Sequence, residues 1–422
     1  MNRKLIMVER IMHVDPVTPL NCVFAAKIRG SINPENIHTA LFKIQQKHSL
    51  LRVHIDERES GPYFILNPAV NVIPVRVVNR NTDDDWLKES QTEWFKLFDG
   101  KDDPLARLVW VRSAMVSELL FVMPHCICDG TTAVTLMREL LSLLDDPDQE
   151  LEPSIAFNSI EEIMPTTFDP AKNVRKARIF SFLGKMFFFF KNTRKRSDIG
   201  NNYALHWKLD EEQTLAIIAG CKMEETTVHS ALCVAVMKAF QQVRGKKAHS
   251  KVISPVDIRR FVLEIKQDTM FAFAPIVELT ISKTEDIGFW NMARKIKAEL
   301  TTKIEALNVY EMLWMGEYMQ SSVHRMVKYL RATDGTHDVT FSNMGKLNIP
   351  ENYQTFELET IYSPTVAFPW RNPNTLVATT FKNQMDFTLM SNDSFLTEAE
   401  ALKIKTTTIE LLFANLQQLS HA

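Results

Sequence analysis

An α+β fold in two halves is the class this sequence predicts, and three observations predict it. Apolar runs of strand length alternate with amphipathic helical stretches in both halves. That alternation lapses between Pro165 and Gly200. The 422 residues allow two to three units of ~100–200 residues each. Hydrophobic residues are 45% and charged residues 24% of the chain, an ordinary globular composition with enough apolar material for a large core.

The elements follow in order. Asn33 stands before Pro34 as an N-cap, and Ile37, Leu41 and Ile44 share a face, so a helix is predicted there, leading into a strand at Leu51 to Ile55. Runs rich in Val, Leu, Phe and Trp predict strands at Val70 to Val78, Leu105 to Val111 and Leu119 to Met123. Gly130 opens a helix in which Val134, Met137, Leu140, Leu141 and Leu144 recur at helical spacing until Asp145, Asp146 and Pro147 end it. The lapse after Pro165 mixes aromatics with nine Lys or Arg between Lys172 and Arg196 and no acid, and is expected to be a crossover between the halves. Beyond it come a strand at Tyr203 to Leu209, helices at Glu211 to Gly220 and Val228 to Val243, and strands at Lys251 to Pro255 and Phe271 to Thr280. A mixed helical stretch from Gly288 to Leu330 precedes strands at Val339 to Ser342, Phe356 to Tyr362, Thr375 to Phe381 and Met385 to Leu389, and a last helix from Thr397. The expected division is residues 1–164, a linker at 165–200, and residues 201–422, with no solenoid repeat.

Composition excludes several functions. A formal charge of -2 provides no global field to recruit nucleic acid. The chain has 12 glycines, and the closest two, Gly335 and Gly345, are ten apart. No GxGxxG, Walker loop or GxSxG elbow exists, because each needs two nearby glycines to bring backbone against a phosphate or nucleophile. Cys22, Cys126, Cys128, Cys221 and Cys233 are odd in number and scattered, which suits a reducing cytoplasm better than a disulfide framework. Glu9 and Arg10 interrupt the N-terminal apolar stretch where a signal peptide needs continuity. The longest uncharged run, Ser60 to Val75, carries three prolines and is shorter than a ~20-residue membrane span.

Three strings could carry chemistry. In FVMPHCICDGTT, residues 121–132, an apolar strand runs out before a helix begins, and His125 and Asp129 flank the reversal, with Gly130 expected to supply whatever backbone angle the turn needs. A histidine there can take a proton at neutral pH. The same residues also suit a satisfied core histidine and a helix N-cap. Cys126 and Cys128 point to opposite faces of a strand and have no second Cys/His cluster, so no metal site is expected. In ISPVDIRR, residues 253–260, Arg259 has the planar fork to hold a distant carboxylate, and Asp129 is the natural partner, although a solvated basic strand end reads the same way. In TFSNMGKL, residues 340–347, Ser342 and Asn343 precede a glycine turn and could donate to a reacting oxygen, or serve the turn alone.

Taken together and in this order, the strings resemble the superfamily of chloramphenicol acetyltransferase, plant BAHD acyltransferases, nonribosomal peptide condensation domains and polyketide-associated acyltransferases. PHCICDG matches the signature HHxxxDG with His125 at the catalytic His, Asp129 at the Asp and Gly130 at the Gly, while Pro124 replaces the first His. ALFKIQQKHSLLRV at 40–53, ISPVDIRR and TFSNMG match the opening helix, the central arginine motif and the late strand motif, so the resemblance covers nearly the whole chain. It implies two α+β chloramphenicol acetyltransferase-like lobes forming a V with the active-site channel between them, and an Asp129–Arg259 pair shaping the His125 turn.

The activity implied is acyl transfer from an acyl-CoA or phosphopantetheine thioester to a hydroxyl or amine, with His125 as general base, no covalent enzyme intermediate and no tightly bound cofactor. Ser342, Asn343 or the backbone N–H near Gly130 would stabilise the oxyanion. The expected partners are the thioester donor, a small or lipophilic alcohol or amine, and an acyl carrier protein supplied in trans, because no carrier segment follows the last helix. The protein is expected to be cytoplasmic. The basic, Phe-rich segment 172–196 either rests peripherally on an anionic membrane or packs its rings on the lobes with solvated cations. Two rival readings stand beside this one: a non-catalytic acyl-binding protein, which Pro124 favours, and a peptide-type condensation between carrier-bound groups.

Overall fold

The computed structural model describes every residue except 99, 155, 192–199, 285–286 and 421–422. In chain order the first half contains β1 (Asn2–Lys4), α1 (Met7–His13), β2 (Asn21–Arg29), α2 (Pro34–Lys47), β3 (Val53–Arg58), β4 (Gly61–Leu66), β5 (Val75–Asn79), α3 (Asp85–Glu93), β6 (Arg107–Arg112), β7 (Val116–Pro124) and α4 (Gly130–Asp145). There follow α5 (Pro170–Phe190), β8 (Asn202–Lys208), α6 (Glu211–Met223), α7 (Val228–Arg244), β9 (Lys251–Pro255), β10 (Ile276–Thr280), α8 (Phe289–Glu305), α9 (Val309–Tyr318) and α10 (Val323–Ala332). The chain closes with β11 (Val339–Lys346), β12 (Glu357–Ile361), β13 (Thr365–Val366), β14 (Thr375–Phe381), β15 (Gln384–Asn392) and α11 (Glu398–Ser420).

The first large sheet runs β12-β2-β7-β6-β5, with β13 also paired to β2. Both faces of β7 are buried because successive side chains point to opposite sides. Leu119, Phe121 and Met123 join a core with Ile37, Leu41 and Ile44 of α2 and Leu136 and Leu140 of α4. Leu120 and Val122 pack toward Trp86 and Trp94 on the other face. Asn33 caps α2 as its sequence predicts, its side chain accepting from Glu35 N–H. The second large sheet runs β10-β9-β11-β14-β15-β8, and its core is filled by α7, buried from Ala231 to Met237, with Ile296 of α8 and Ile404 and Leu412 of α11.

The two sheets are laced together. After β11 the chain leaves the second sheet, adds β12 and β13 antiparallel to β2 with Ile361 opposite Ala26 and Val366 opposite Cys22, and returns as β14. Between those strands Ser363 N–H donates to Asp386 Oδ1 at 2.6 Å and its hydroxyl to Asp386 O at 2.7 Å, tying the crossing to β15. Tyr362 stacks on Trp86 with ring centres 3.9 Å apart.

Several elements differ from the sequence reading. The strand expected from Phe271 begins only at Ile276, because Phe271 and Phe273 are diverted into a core with Ile6 and Ile258, and Phe271 N–H reaches Thr132 Oγ1. The strand expected from Val70 begins at Val75, since Asn71 N–H is drawn to Asp102 O before Pro74. The crossover holds a helix, α5, started by Pro170 in its first turn and by Asp169, whose side chain accepts from Ala171 N–H. Residues 192–196 of the basic run lie outside the described residues. No described helix is long and apolar enough to cross a membrane.

Candidate functional site

The site forms where β7 runs out at Pro124 and a short helical turn, His125–Ile127, leads to α4. His125 N–H donates to Leu20 O at 2.8 Å, fixing the turn to the start of β2. The ring Nδ1 lies 2.9 Å from Cys128 O. A carbonyl can only accept, so Nδ1 carries the proton, and in the neutral ring Nε2 keeps the lone pair. The ring is partly exposed and faces Phe368 at 5.6 Å between centres.

Asp129 does two things at once. Its Oδ1 accepts Thr132 N–H at 2.8 Å and caps α4, and its two oxygens receive Arg259 through Nη1 at 2.5 Å and Nη2 at 3.2 Å. A carboxylate held this way cannot also turn to the His125 ring. Arg259 is only 4% exposed, and its remaining donors meet Lys266 O at 3.2 Å and Thr269 O at 2.9 Å. Thr131 Oγ1 adds a 2.7 Å bond to Asp257 Oδ2 across the same junction. The first turn of α4, from one lobe, is thereby fastened to the segment after β9, from the other.

Gly130 occupies the first position of α4 and does not have a positive φ. The expectation that the turn needs special backbone angles is therefore corrected. The glycine lies close to the Met344 side chain, since a Cβ there would stand 3.1 Å from Met344 Cε. Gly130 and Asp129 line a cavity of about 360 Å³, together with Arg138, Ser342, Asn343 and Lys346. Asn343 Oδ1 accepts Gly345 N–H at 2.9 Å, at a bulge where Gly345 takes φ 65°, so its oxygen is committed to the turn and its NH₂ keeps hydrogen-bonding capacity. His125 does not line this cavity. Its neighbours Pro124 and Cys126 line a second, smaller cavity of about 50 Å³, with Leu20 and Asn21. The His125 turn stands between the two.

Sequence reasoning did not single out Cys22. It lies on β2 opposite Met123 of β7, a register that no local motif announces. Cys22, His125 and Cys128 each place one ligand atom within 4.8 Å of the others. Together they offer three donors, short of the four that a closed structural zinc site takes. Cys126, by contrast, is fully buried in the first core. A hydrogen bond from Cys128 lowers the Cys22 thiol against the effect of burial, and the neighbouring His125 charge lowers it further. Burial pushes His125 down, but the Cys22 thiolate beside it outweighs burial and holds the imidazole up at about 9. Cys128 is pushed well above its usual value by its bond to Cys22 and by burial. Both shifts act in one direction, each group favouring the charged form of the other.

With this geometry in place, likeness to known proteins can be stated. Residues 204–406 match the family model described as phthiocerol/phthiodiolone dimycocerosyl transferase C-terminus. The fold is similar to that of the TRI3 trichothecene 15-O-acetyltransferase from Fusarium sporotrichioides, with TM-score 0.72 and 15% identity over 98% of this chain and 95% of that one. It is also similar to the first condensation domain of the calcium-dependent antibiotic synthetase, with TM-score 0.68 and 13% identity over 99% and 96%. A cyclosporin synthetase from Tolypocladium inflatum is 27% identical over 121 residues, 28% of this chain. The chain spans about 1–2% of the length of the curated synthetases it matches. The two-lobed fold is similar to that of acyltransferases and condensation domains, as the resemblance of the motifs led one to expect.

Breaking the buried pair from one side leaves Asp129 uncompensated. Arg259→Met is expected to lower stability in a urea titration by about 3–5 kcal/mol, and a loss under 1 kcal/mol would show the pair to be structurally idle.

Proposed function

We propose that the protein is an acyltransferase that moves an acyl group from a CoA or carrier-protein thioester to a hydroxyl or amine, with His125 as general base and no covalent enzyme intermediate. The observation that carries this reading is the Nδ1 to Cys128 O bond, which leaves Nε2 as the proton acceptor at a turn standing between two cavities. With the ring neutral, Nε2 can receive the acceptor's proton. The acceptor oxygen or nitrogen then attacks the thioester carbonyl. Collapse of the tetrahedral intermediate breaks the C–S bond, and the departing thiolate takes the proton back from the imidazolium.

General-base help of this kind is worth ~10²–10⁴-fold. The larger share of the rate comes from holding two substrates at near-attack distance. The Ser342 hydroxyl, the Asn343 NH₂ or an N–H near Gly130 supplies the oxyanion contact. Arg138 and Lys346, at the larger cavity, suit the phosphate of a pantetheine arm. Likeness to condensation domains supports carrier-bound thioesters as the second class of donor.

Thiol release from a panel of short and long acyl-CoAs, with mixed alcohol and amine acceptors, tests the reading. Acceptor-dependent release is expected from the protein and a loss of 10²-fold or more from His125→Ala. Silence of the native protein on every CoA and loaded-carrier donor, with acyl ligands still bound, would replace catalysis by binding.

The Cys22 charge gives a separate expectation. Turnover needs the neutral ring, so the acid limb of kcat/KM follows the His125 pKa, which the thiolate raises. Cys22→Ala removes that influence and leaves burial, which lowers it. The acid limb should move to lower pH by about one unit or more, with turnover retained. Complete loss of turnover would mean that Cys22 takes part covalently.

A further inference from the structure

Helix α5 is turned inside out. The face it lays on the protein is mostly small and polar: Ala177 and Ser181 are buried, Ser181 Oγ donates to Tyr318 O at 2.7 Å, Gly184 lies so close to Met319 that a Cβ would meet its Cε at 2.5 Å, and Phe188 adds a large ring, against Tyr329. Most of the large apolar side chains are on the opposite face. Ile179, Phe182, Leu183, Met186, Phe189 and Phe190 are each between 42% and 73% exposed. A surface helix of a globular protein has the reverse arrangement, and apolar patches of this extent mark contact sites.

The charge carried by the helix itself is of one sign. Lys172, Arg175, Lys176, Arg178 and Lys185 lie within the helix and Lys191 directly follows it, and no acid occurs from Pro170 to Phe190. Of these, Lys172 pairs with Asp169 and Lys176 with Glu311. Helix α10, packed beside α5, adds the exposed Arg325 and Lys328. The Arg325 guanidinium stands 5.4 Å from the Phe189 ring centre, and Lys191 Nζ stands 5.0 Å from that of Phe187. This cationic face belongs to a chain whose formal charge is -2, so it is a local feature.

The charge selects the occupant. A second copy seated on α5 by a twofold axis would set two cationic faces against each other. A lipid surface of negative charge meets both requirements, since phosphates neutralise the cations while Phe, Leu and Ile sink to the acyl boundary. We propose that α5 is a membrane-docking helix that lies in the headgroup plane of an anionic bilayer, with Ile179, Phe182, Leu183, Met186, Phe189 and Phe190 inserted. At ~1.5 Å per residue it would lie along ~30 Å of surface. The proposal is independent of the acyl-transfer reading.

Co-sedimentation of the full chain with phosphatidylcholine vesicles, with and without phosphatidylserine, tests it. Binding is expected on the phosphatidylserine vesicles and weaker by about tenfold or more on phosphatidylcholine alone. Leu183→Gln with Phe190→Gln, and separately Arg178→Gln with Lys185→Gln, should each reduce partitioning by about tenfold or more. Both variants alter exposed side chains only, so circular dichroism and thermal melting should match the native protein. Native protein left in the supernatant with both vesicle types, or binding equal for native and variant chains, would overturn the proposal. A lipid-free dimer in light scattering that the apolar variant dissolves would overturn it in favour of a second copy.

Discussion

The Asp129–Arg259 ion pair is the constraint on which the site depends. It is the point where the end of a strand in one sheet, the first turn of α4 and the segment after β9 of the other sheet meet in fixed geometry. Two charges taken out of water cost several kcal/mol each, and their attraction repays that only when the remaining donors are satisfied. Here Arg259 has Lys266 O, Thr269 O and Asp257 in addition to Asp129. The pair therefore specifies one arrangement of the two lobes and leaves His125, four residues before Asp129, on a turn held at both ends. That turn is anchored to Leu20 O at its start and capped into α4 at its end.

The lobes are joined a second time by the excursion of β12 and β13 onto β2. This crossing brings Val366 opposite Cys22 and puts Phe368 against the His125 ring. Residues from the far end of the chain thus shape the surroundings of a histidine in its first third. The proton balance of His125 follows from the same pairing, because β2 is the strand that carries Cys22. A neighbour whose charge raises the imidazole's hold on a proton shifts the pH at which Nε2 becomes available.

Much of this was legible in the sequence, and the boundary of what was legible is physical. Periodicity placed α2 and α4, which bury one face, and a long apolar run placed α7, which is buried nearly all round. The Asp129 and Arg259 pairing could be proposed because a buried guanidinium needs a carboxylate and both sit in strings that resemble motifs of one superfamily. The crossing strands β12 and β13 could not be seen as such: Phe356 to Tyr362 read as a strand, but local pattern does not say which sheet it joins. Cys22 was missed for the same reason, since its place beside His125 arises from the β2 to β7 register. The role of Gly130 was misread because its backbone is ordinary helix, and what sets it apart is its closeness to the Met344 side chain. The basic, Phe-rich character of α5 was read in the sequence, but its helical form was not, because its large apolar residues do not recur on a face packed against the core.

The central claim is that Asp129 and Arg259 act as one unit to hold the His125 turn. A double-mutant cycle on kcat/KM for acyl transfer, with Asp129→Asn, Arg259→Met and the two combined, tests it most directly. The account predicts that each single change costs at least tenfold and that the double change costs no more than the worse single, since the second removal has nothing left to break. Losses that multiply would show two independent residues and contradict the account.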